Sequence, residues 1–357
     1  MAKSYFLKVF NKDDDTLLKT IPAEDIRMDP NFKSQAQSGQ GSMKMTVNFP
    51  FLDFDEGTVI KHENVVETYL VDENYPQGQL IHKGVVLDYD SYADDKGEGL
   101  DMTILGLVSL LSYAHYNDGL GGFLVSHSGE DPADIIKAII DNRQATTGDT
   151  LISYTVSSIA TVGVNVSIDF DEMTWLEAIK AVFALISEEG WYWYVDQNGV
   201  FYLQQYAVSA THRFTMSKDV VSFHSIKSSK DLVNTAYVNW SGGTQSEQNA
   251  PSVSEYRLRE KIIEDTTSTD AATADERAAQ EVAAAVAPAN RFEMTVNSLY
   301  NLESIKPGDT CTLLNITDPN GVVPSVLRIA SVNYKPERVI LEIEQVNSNF
   351  GEAVATL

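Results

Sequence analysis

Residues 172–204 read as one amphipathic helix followed by one aromatic hairpin, set between two long stretches of strand-and-turn sequence that carry no catalytic signature. Thr174 and Glu177 have the spacing of a capping box, in which each side chain satisfies a free backbone N–H. Trp175, Leu176, Ile179, Val182, Phe183 and Ile186 recur at helical spacing, and Gly190 stands where a left-handed terminating residue is wanted. Trp191-Tyr192-Trp193-Tyr194-Val195 then supplies strand residues, Asn198-Gly199 the positive φ angles of a tight hairpin, and Val200-Phe201-Tyr202-Leu203 the return. Aromatics beside a helix with a matching apolar face belong to a core. The functional reading of the same set is a platform on which sugars or bases stack.

At 357 residues the chain exceeds the usual single-core limit, so two or three domains are expected. Its 43% hydrophobic and 10% aromatic content are globular values. No apolar run approaches the roughly 20 residues of a membrane span, and the N-terminus lacks a secretory pattern, so the expectation is a soluble protein made in a cytoplasm. The only cysteine, Cys311, falls in an alternating strand-like run and reads as a small buried hydrophobe. The formal net charge of −25, from 51 acidic and 26 basic residues, opposes tight nucleic-acid binding, which draws its affinity from clustered cations. Solubility and adaptation to a salty medium together explain such an excess as well as a functional field does.

Three regions are expected: 1–119 as an antiparallel barrel or sandwich, 120–205 as a compact α+β domain with the aromatic hairpin, and 206–357 as a return to strand pattern. The fold class is therefore α+β, mainly β. In the first region, strand-like runs at 5–10, 44–49, 65–71, 79–90 and 100–107 are separated by turn signals such as Asp13-Asp14-Asp15. Residues 35–42, rich in Gln, Ser and Gly, read as a mobile loop. In the second, Asp131-Pro132 opens a helix that ends near Arg143, with short strands at 151–156 and 165–170. The third has strands at 220–227, 235–240, 256–263, 292–296, 310–315, 326–332 and 338–346, and an exposed loop at 242–249. An alanine-rich helix interrupts it, with a capping box at Thr273 and Glu276 and a stop at Pro288. Val282 and Val286 are its only large apolar residues, so it lies in a shallow groove or packs through alanine against another chain.

No chemistry-bearing constellation stands out. The histidines at 62, 82, 115, 127, 212 and 224 never take His-x-x-x-His spacing. Ser126-His127-Ser128 places hydroxyls beside an imidazole in sequence only, whereas a nucleophilic site needs them apposed in space. Asp13-Asp14-Asp15 and Asp318-Pro319-Asn320-Gly321 are fragments of calcium loops without the distant glutamate. Asp53/Asp55 and Glu188/Glu189 are chance acidic pairs in a carboxylate-rich chain. Gly119-Leu120-Gly121-Gly122 lacks the lysine and hydroxyl of a phosphate loop. No catalytic, cofactor or metal residue is expected, and the chain reads as no enzyme.

The order of features carries more than any one of them. Leu80-Ile81-His82-Lys83-Gly84-Val85-Val86, the run from Thr103 to Leu111, and the helix–hairpin unit through Gly199 together resemble the hub proteins of phage tail tips and baseplates. The alanine-rich helix, the strand that follows it and the Pro307-Gly308-Asp309 turn extend the resemblance over nearly the whole chain. It implies a homotrimeric ring in which each chain contributes two related β-barrel domains, 1–119 and 206–357, flanking the α+β domain 120–205, so that three chains continue a sixfold tail tube and let DNA pass during ejection. The implied partners are the chain itself, a tail tube or distal tail protein, a tape measure protein, and tip fibre or spike proteins. The implied location is the virion tail tip. An acidic lumen would not hold transiting DNA, and a chain ending at Leu357 leaves no room for a wall-cutting domain. A carbohydrate- or receptor-binding tail module using the Trp/Tyr hairpin is the alternative, and exposure of Trp191 or Trp193 would favour it.

Overall fold

A computed structural model describes all residues except 1–2, 28–29, 49–60, 95–96, 187–189, 208, 266–267, 269, 288, 299, 316–325, 336 and 346–357. The fold is α+β and mainly β, with strands over 47% and helices over 20% of the described residues.

The first six-strand array joins β1 (Ser4–Phe10), β2 (Leu17–Ile21), β5 (Met43–Asn48), β6 (Val65–Val71), β7 (Gln79–Asp94) and β8 (Gly97–Gly106) in the order β2-β1-β6-β7-β8-β5. Its strands alternate as an array with one buried face must: Tyr5, Leu7 and Val9 point inward from β1, and Met43, Met45 and Val47 from β5. The two edges approach each other, since Ile26 bridges Val47 and the Arg27 amide donates to the Thr46 carbonyl.

Between β2 and β5 the chain departs as a hairpin of β3 (Phe32–Gln35) and β4 (Ser38–Gln40), so strand β4 and its turn stand in the stretch 35–42 that reads as a mobile loop. Its Gln and Ser residues carry little periodicity of their own. Their backbone is ordered by neighbours: β3 pairs with β20 (Leu327–Lys335), and β4 with β11 (Trp191–Val195).

The middle of the chain forms β9 (Leu124–Glu130), α1 (Pro132–Thr147), β10 (Val166–Asp171), α2 (Trp175–Ala184), β11 and β12 (Phe201–Gln205). Asp131 caps α1, and the helix runs past Arg143 to Gly148, whose left-handed φ of 75° ends it. Both halves of the Thr174/Glu177 capping box are made. Ile135, Ile136, Ile139 and Ile140 of α1 meet Trp175, Ile179 and Val182 of α2 over the inward face of the hairpin. Residues 151–156 form no strand and touch the hairpin through single bridges such as Ser153–Val200.

The second array joins β13 (His212–Thr215), β14 (Val220–Ser228), β18 (Ala289–Asn297), β19 (Thr310–Leu314), β20 and β21 (Arg338–Gln345). Along the sheet they run β13-β19-β20-β21-β18-β14. Numbered by place in the chain, both arrays read 1-4-5-6-3-2 around a circle. They differ at two points. β1 runs antiparallel to β6, whereas β13 runs parallel to β19. The second strand bonds to the first in one array and to the third in the other. In both, the extra elements leave between the second and third strands. One continuous core fills both arrays.

The insertion in the second array contains β15 (Thr235–Trp240), β16 (Gly243–Gln248), α3 (Ala250–Tyr256), β17 (Glu260–Glu264) and α4 (Ala271–Ala285). The loop expected at 242–249 is strand β16, paired in register with β15. The expected strand at 256–263 begins as helix. Asp270, not a Thr273/Glu276 box, caps α4, accepting from the Thr273 amide at 2.8 Å. Ala274, Ala278 and Val282 bury one stripe against Ala236 and Val238 of the chain's own sheet. Small residues there allow close approach of helix to strand.

Candidate functional site

The aromatic hairpin offers no platform. Trp191 is 3% exposed and Trp193 fully buried, stacked on Phe201 at 5.4 Å. The other face of β11 carries Tyr192 and Tyr194, each 7% exposed. Tyr192 stacks on Tyr206 at 4.7 Å, and Tyr194 on Tyr202 at 4.8 Å. The Pro307-Gly308-Asp309 turn presses on Tyr192 so closely that a Cβ at Gly308 would lie 2.0 Å from the ring. Both indoles are thus withheld from any sugar. The loop closing the hairpin is longer than a two-residue turn: Asp196 accepts from the amides of Asn198 and Val200, and of the Asn-Gly pair only Gly199 has a positive φ.

The polar constellations resolve into structural clasps. Strand alternation turns Ser126 and Ser128 outward while His127 faces in, with Nδ1 2.9 Å from Glu130 Oε2 and Nε2 3.0 Å from the Tyr116 hydroxyl. Asp14 accepts from the Thr16 amide and hydroxyl in the β1–β2 turn. Asp118 accepts from Leu120 and Gly122, so the glycine-rich segment 119–122 is folded around its own carboxylate. Burial, with the Asp309 carboxylate, pushes the Cys311 thiol up to about 12, and Cys311 behaves as the small hydrophobe expected. Asp53, Asp55, Glu188, Glu189 and residues 318–321 lie outside the described residues. Among the described residues no three His, Cys, Asp or Glu side chains gather as a metal site.

One clasp escapes sequence reasoning. His212 on β13 reaches Asp309 Oδ2 at 2.9 Å with Nε2 and the Tyr300 hydroxyl at 3.0 Å with Nδ1. Asp309 Oδ2 also accepts from the Lys306 amide at 2.8 Å. His212 thereby fixes the Pro-Gly-Asp turn against β11. Its partners lie about a hundred residues away, and no local pattern signals them.

The same holds where the three regions meet. Gln40 on β4 donates to the Ile81 carbonyl at 2.6 Å, and the His82 Nε2–H donates to the Gly41 carbonyl at 3.0 Å. Lys3 Nζ pairs with Glu303 at 2.6 Å, and the Tyr334 hydroxyl donates to that carboxylate at 3.2 Å. Phe32 stacks on Tyr334 at 5.2 Å. The cleft left between Phe32, Gln79, Tyr194, Glu303 and Tyr334 encloses about 70 Å³. Ligand pockets run to several hundred.

What the surface does offer is strand edge. Among the described residues β2 and β5 end the first array, β13 and β14 the second, and β16 and β17 the inserted sheet. Natural monomers protect such edges with charge or cover. Here Leu17 on β2 is 51% exposed, Val221 and Ile226 on β14 are 61% and 47%, and Ile262 on β17 is 66%.

No family model and no curated protein sequence matches the chain. Solved structures do. The chain is similar to a 43 kDa tail protein of prophage MuSo2 from Shewanella oneidensis at 14% identity, over 97% of this chain and 99% of that one, with a TM-score of 0.63. It is similar to a tail protein from Neisseria meningitidis MC58 at 11% identity, over 98% of each chain, with a TM-score of 0.64. A third likeness is to prophage tail protein gp18 from Listeria monocytogenes EGD-e, at 12% identity over 98% of this chain and 96% of that one, with a TM-score of 0.57. The chain shares the fold of these tail proteins over 97–98% of its length.

Proposed function

We propose that the chain is a structural hub of a phage tail tip or baseplate, a homotrimeric ring that continues the tail tube and lets DNA through on ejection. One observation carries this reading: two six-strand arrays in one chain share a circular strand order, so three chains supply six comparable β units. A threefold tip can then meet a sixfold tube without six separate subunits. In this reading 1–119 and 206–357 hold the two barrels, and 120–205 braces them from outside. The partners are a tail tube or distal tail protein, a tape measure protein, and tip fibre or spike proteins. The role is mechanical, not enzymatic, and belongs to the virion tail tip.

The likeness to prophage tail proteins supports the tail assignment, and the buried indoles remove the surface on which the carbohydrate-binding alternative depended. The net charge of −25 suits a bore that must release DNA, because a wall of carboxylates gives phosphates no counterion to displace. Averaged electron micrographs of the purified protein test the reading. Threefold rings with an open, acidic bore agree with it; solid particles, or a bore lined by Lys and Arg, oppose it.

A further inference from the structure

One turn of the middle region holds apolar side chains out of the fold. The Asp118 amide donates to the Gly122 carbonyl at 2.9 Å, and the Asp118 carboxylate accepts from the amides of Leu120 and Gly122. Leu120, inside this closed turn, is 93% exposed, with Leu124 at 64% and Phe123 at 45% just beyond it. The base of the turn is anchored. The Tyr116 amide donates to the Met173 carbonyl, the Glu172 amide to the Phe123 carbonyl, and the Asn142 side chain on α1 to the Asn117 carbonyl. Every residue from 97 to 186 is described, and among the described residues the sheet of β9 and β10 has no third strand. Leucines left in water cost free energy, and a turn tied at both ends cannot collapse to bury them. An apolar anchor that is already rigid, with a polar rim, is the form of a protein-binding surface.

The rim says what covers it. Leu124 stands directly opposite Asp171, and Ser126 opposite Asp169, on the face of the ribbon turned away from buried Ile168 and Phe170. Exposed Glu172 follows on the same side of the turn as its partner Phe123, and exposed Asp118 closes the turn itself. From 97 to 179 the only basic residues are Lys137 and Arg143, and these are held by Asp134 and Asp149. Among the described residues no Lys or Arg pairs with Asp118, Asp169, Asp171 or Glu172. Such a rim repels a nucleic acid or an anionic lipid surface, and a second copy brings its own net charge of −25. A polypeptide segment that alternates aliphatic side chains with Lys or Arg answers both the leucines and the carboxylates.

The geometry points to a docking site, formed by the Leu120 turn and the outer face of β9 and β10, for a basic, aliphatic segment of a different protein. Leu120 and Leu124 meet the aliphatic side chains of that segment, and Asp169 and Asp171 meet its cations. The site stands whether or not copies of this chain close into a ring.

Fluorescence anisotropy on the full-length protein tests it, with a labelled octapeptide of alternating Lys and Val as probe. Peptides of alternating Glu and Val, and of alternating Lys and Ser, are the controls. The Lys–Val peptide should bind roughly tenfold or more tightly than either control, and less tightly as salt rises. Leu120→Ser with Leu124→Ser should weaken it by a similar factor, as should Asp169→Asn with Asp171→Asn, while circular dichroism and molar mass stay those of the wild type. With photoleucine in place of the probe's valines, crosslinks should fall within residues 118–128. Equal binding by the variants, or crosslinks elsewhere on the chain, overturns the site. A fall in molar mass on removing the leucines gives the surface to a second copy and overturns it too.

Discussion

Gly308 holds the tightest constraint in the Pro-Gly-Asp turn, with φ of 91° and the Tyr192 ring where a Cβ would go. Gly308→Ala combines a left-handed backbone penalty with overpacking and should cost about 2–4 kcal/mol in urea unfolding. His82 makes a prediction about pH. Burial lowers its imidazole from 6.5 to about 4, against the opposing pull of the Gly41 carbonyl. Between those values the unfolded chain binds a proton that the native chain excludes. The stabilisation is complete above pH ~6.5 and is lost as pH falls toward 4, on the order of 3 kcal/mol in all. Other groups titrate in that window, so the test is a difference: His82→Gln should lose less stability than the wild type between pH 7 and pH 4.5. Equal losses would show that His82 is not held neutral by the fold.

At the scale of elements, what the sequence revealed depended on whether the signal was local. The α2 cap and stripe and the Asp131 cap were legible because every participant lies within one or two turns. Thr174→Ala should destabilise by about 1 kcal/mol, measured by chemical denaturation, since it leaves the Glu177 amide without its acceptor. Strands β4 and β16 fall in stretches that read as loops because their polar residues carry no hydrophobic period. Their order comes from partners distant in sequence. The alanine stripe of α4 packs on the chain's own sheet, where one of its two expected positions named another chain, because an alanine stripe says that something comes close, not what. Ala278 is fully buried against that sheet, so Ala278→Leu should destabilise the insertion by about 1–3 kcal/mol through overpacking, while Ala→Ser at an exposed position of α4 should not.

Across the whole molecule, strand content and the middle insert followed from periodicity, whereas the shared circular order of the arrays could not. Strand order is set by which edges meet, and two arrays with unrelated side chains can share it. The β3–β4 arm is likewise invisible in sequence, yet it ties the first array to β20 and to the aromatic hairpin, with Gly106 admitting the Gln40 backbone where any Cβ would stand 1.8 Å from its carbonyl oxygen. That tie gives the two arrays a common core and a fixed relation, which a ring of alternating units requires. The most direct test of the central claim is the mass of the purified chain by light scattering after size exclusion, at low and physiological ionic strength. A species of about three times 39.4 kDa is the result expected of a hub. A mass of 39.4 kDa at every concentration and salt would contradict it.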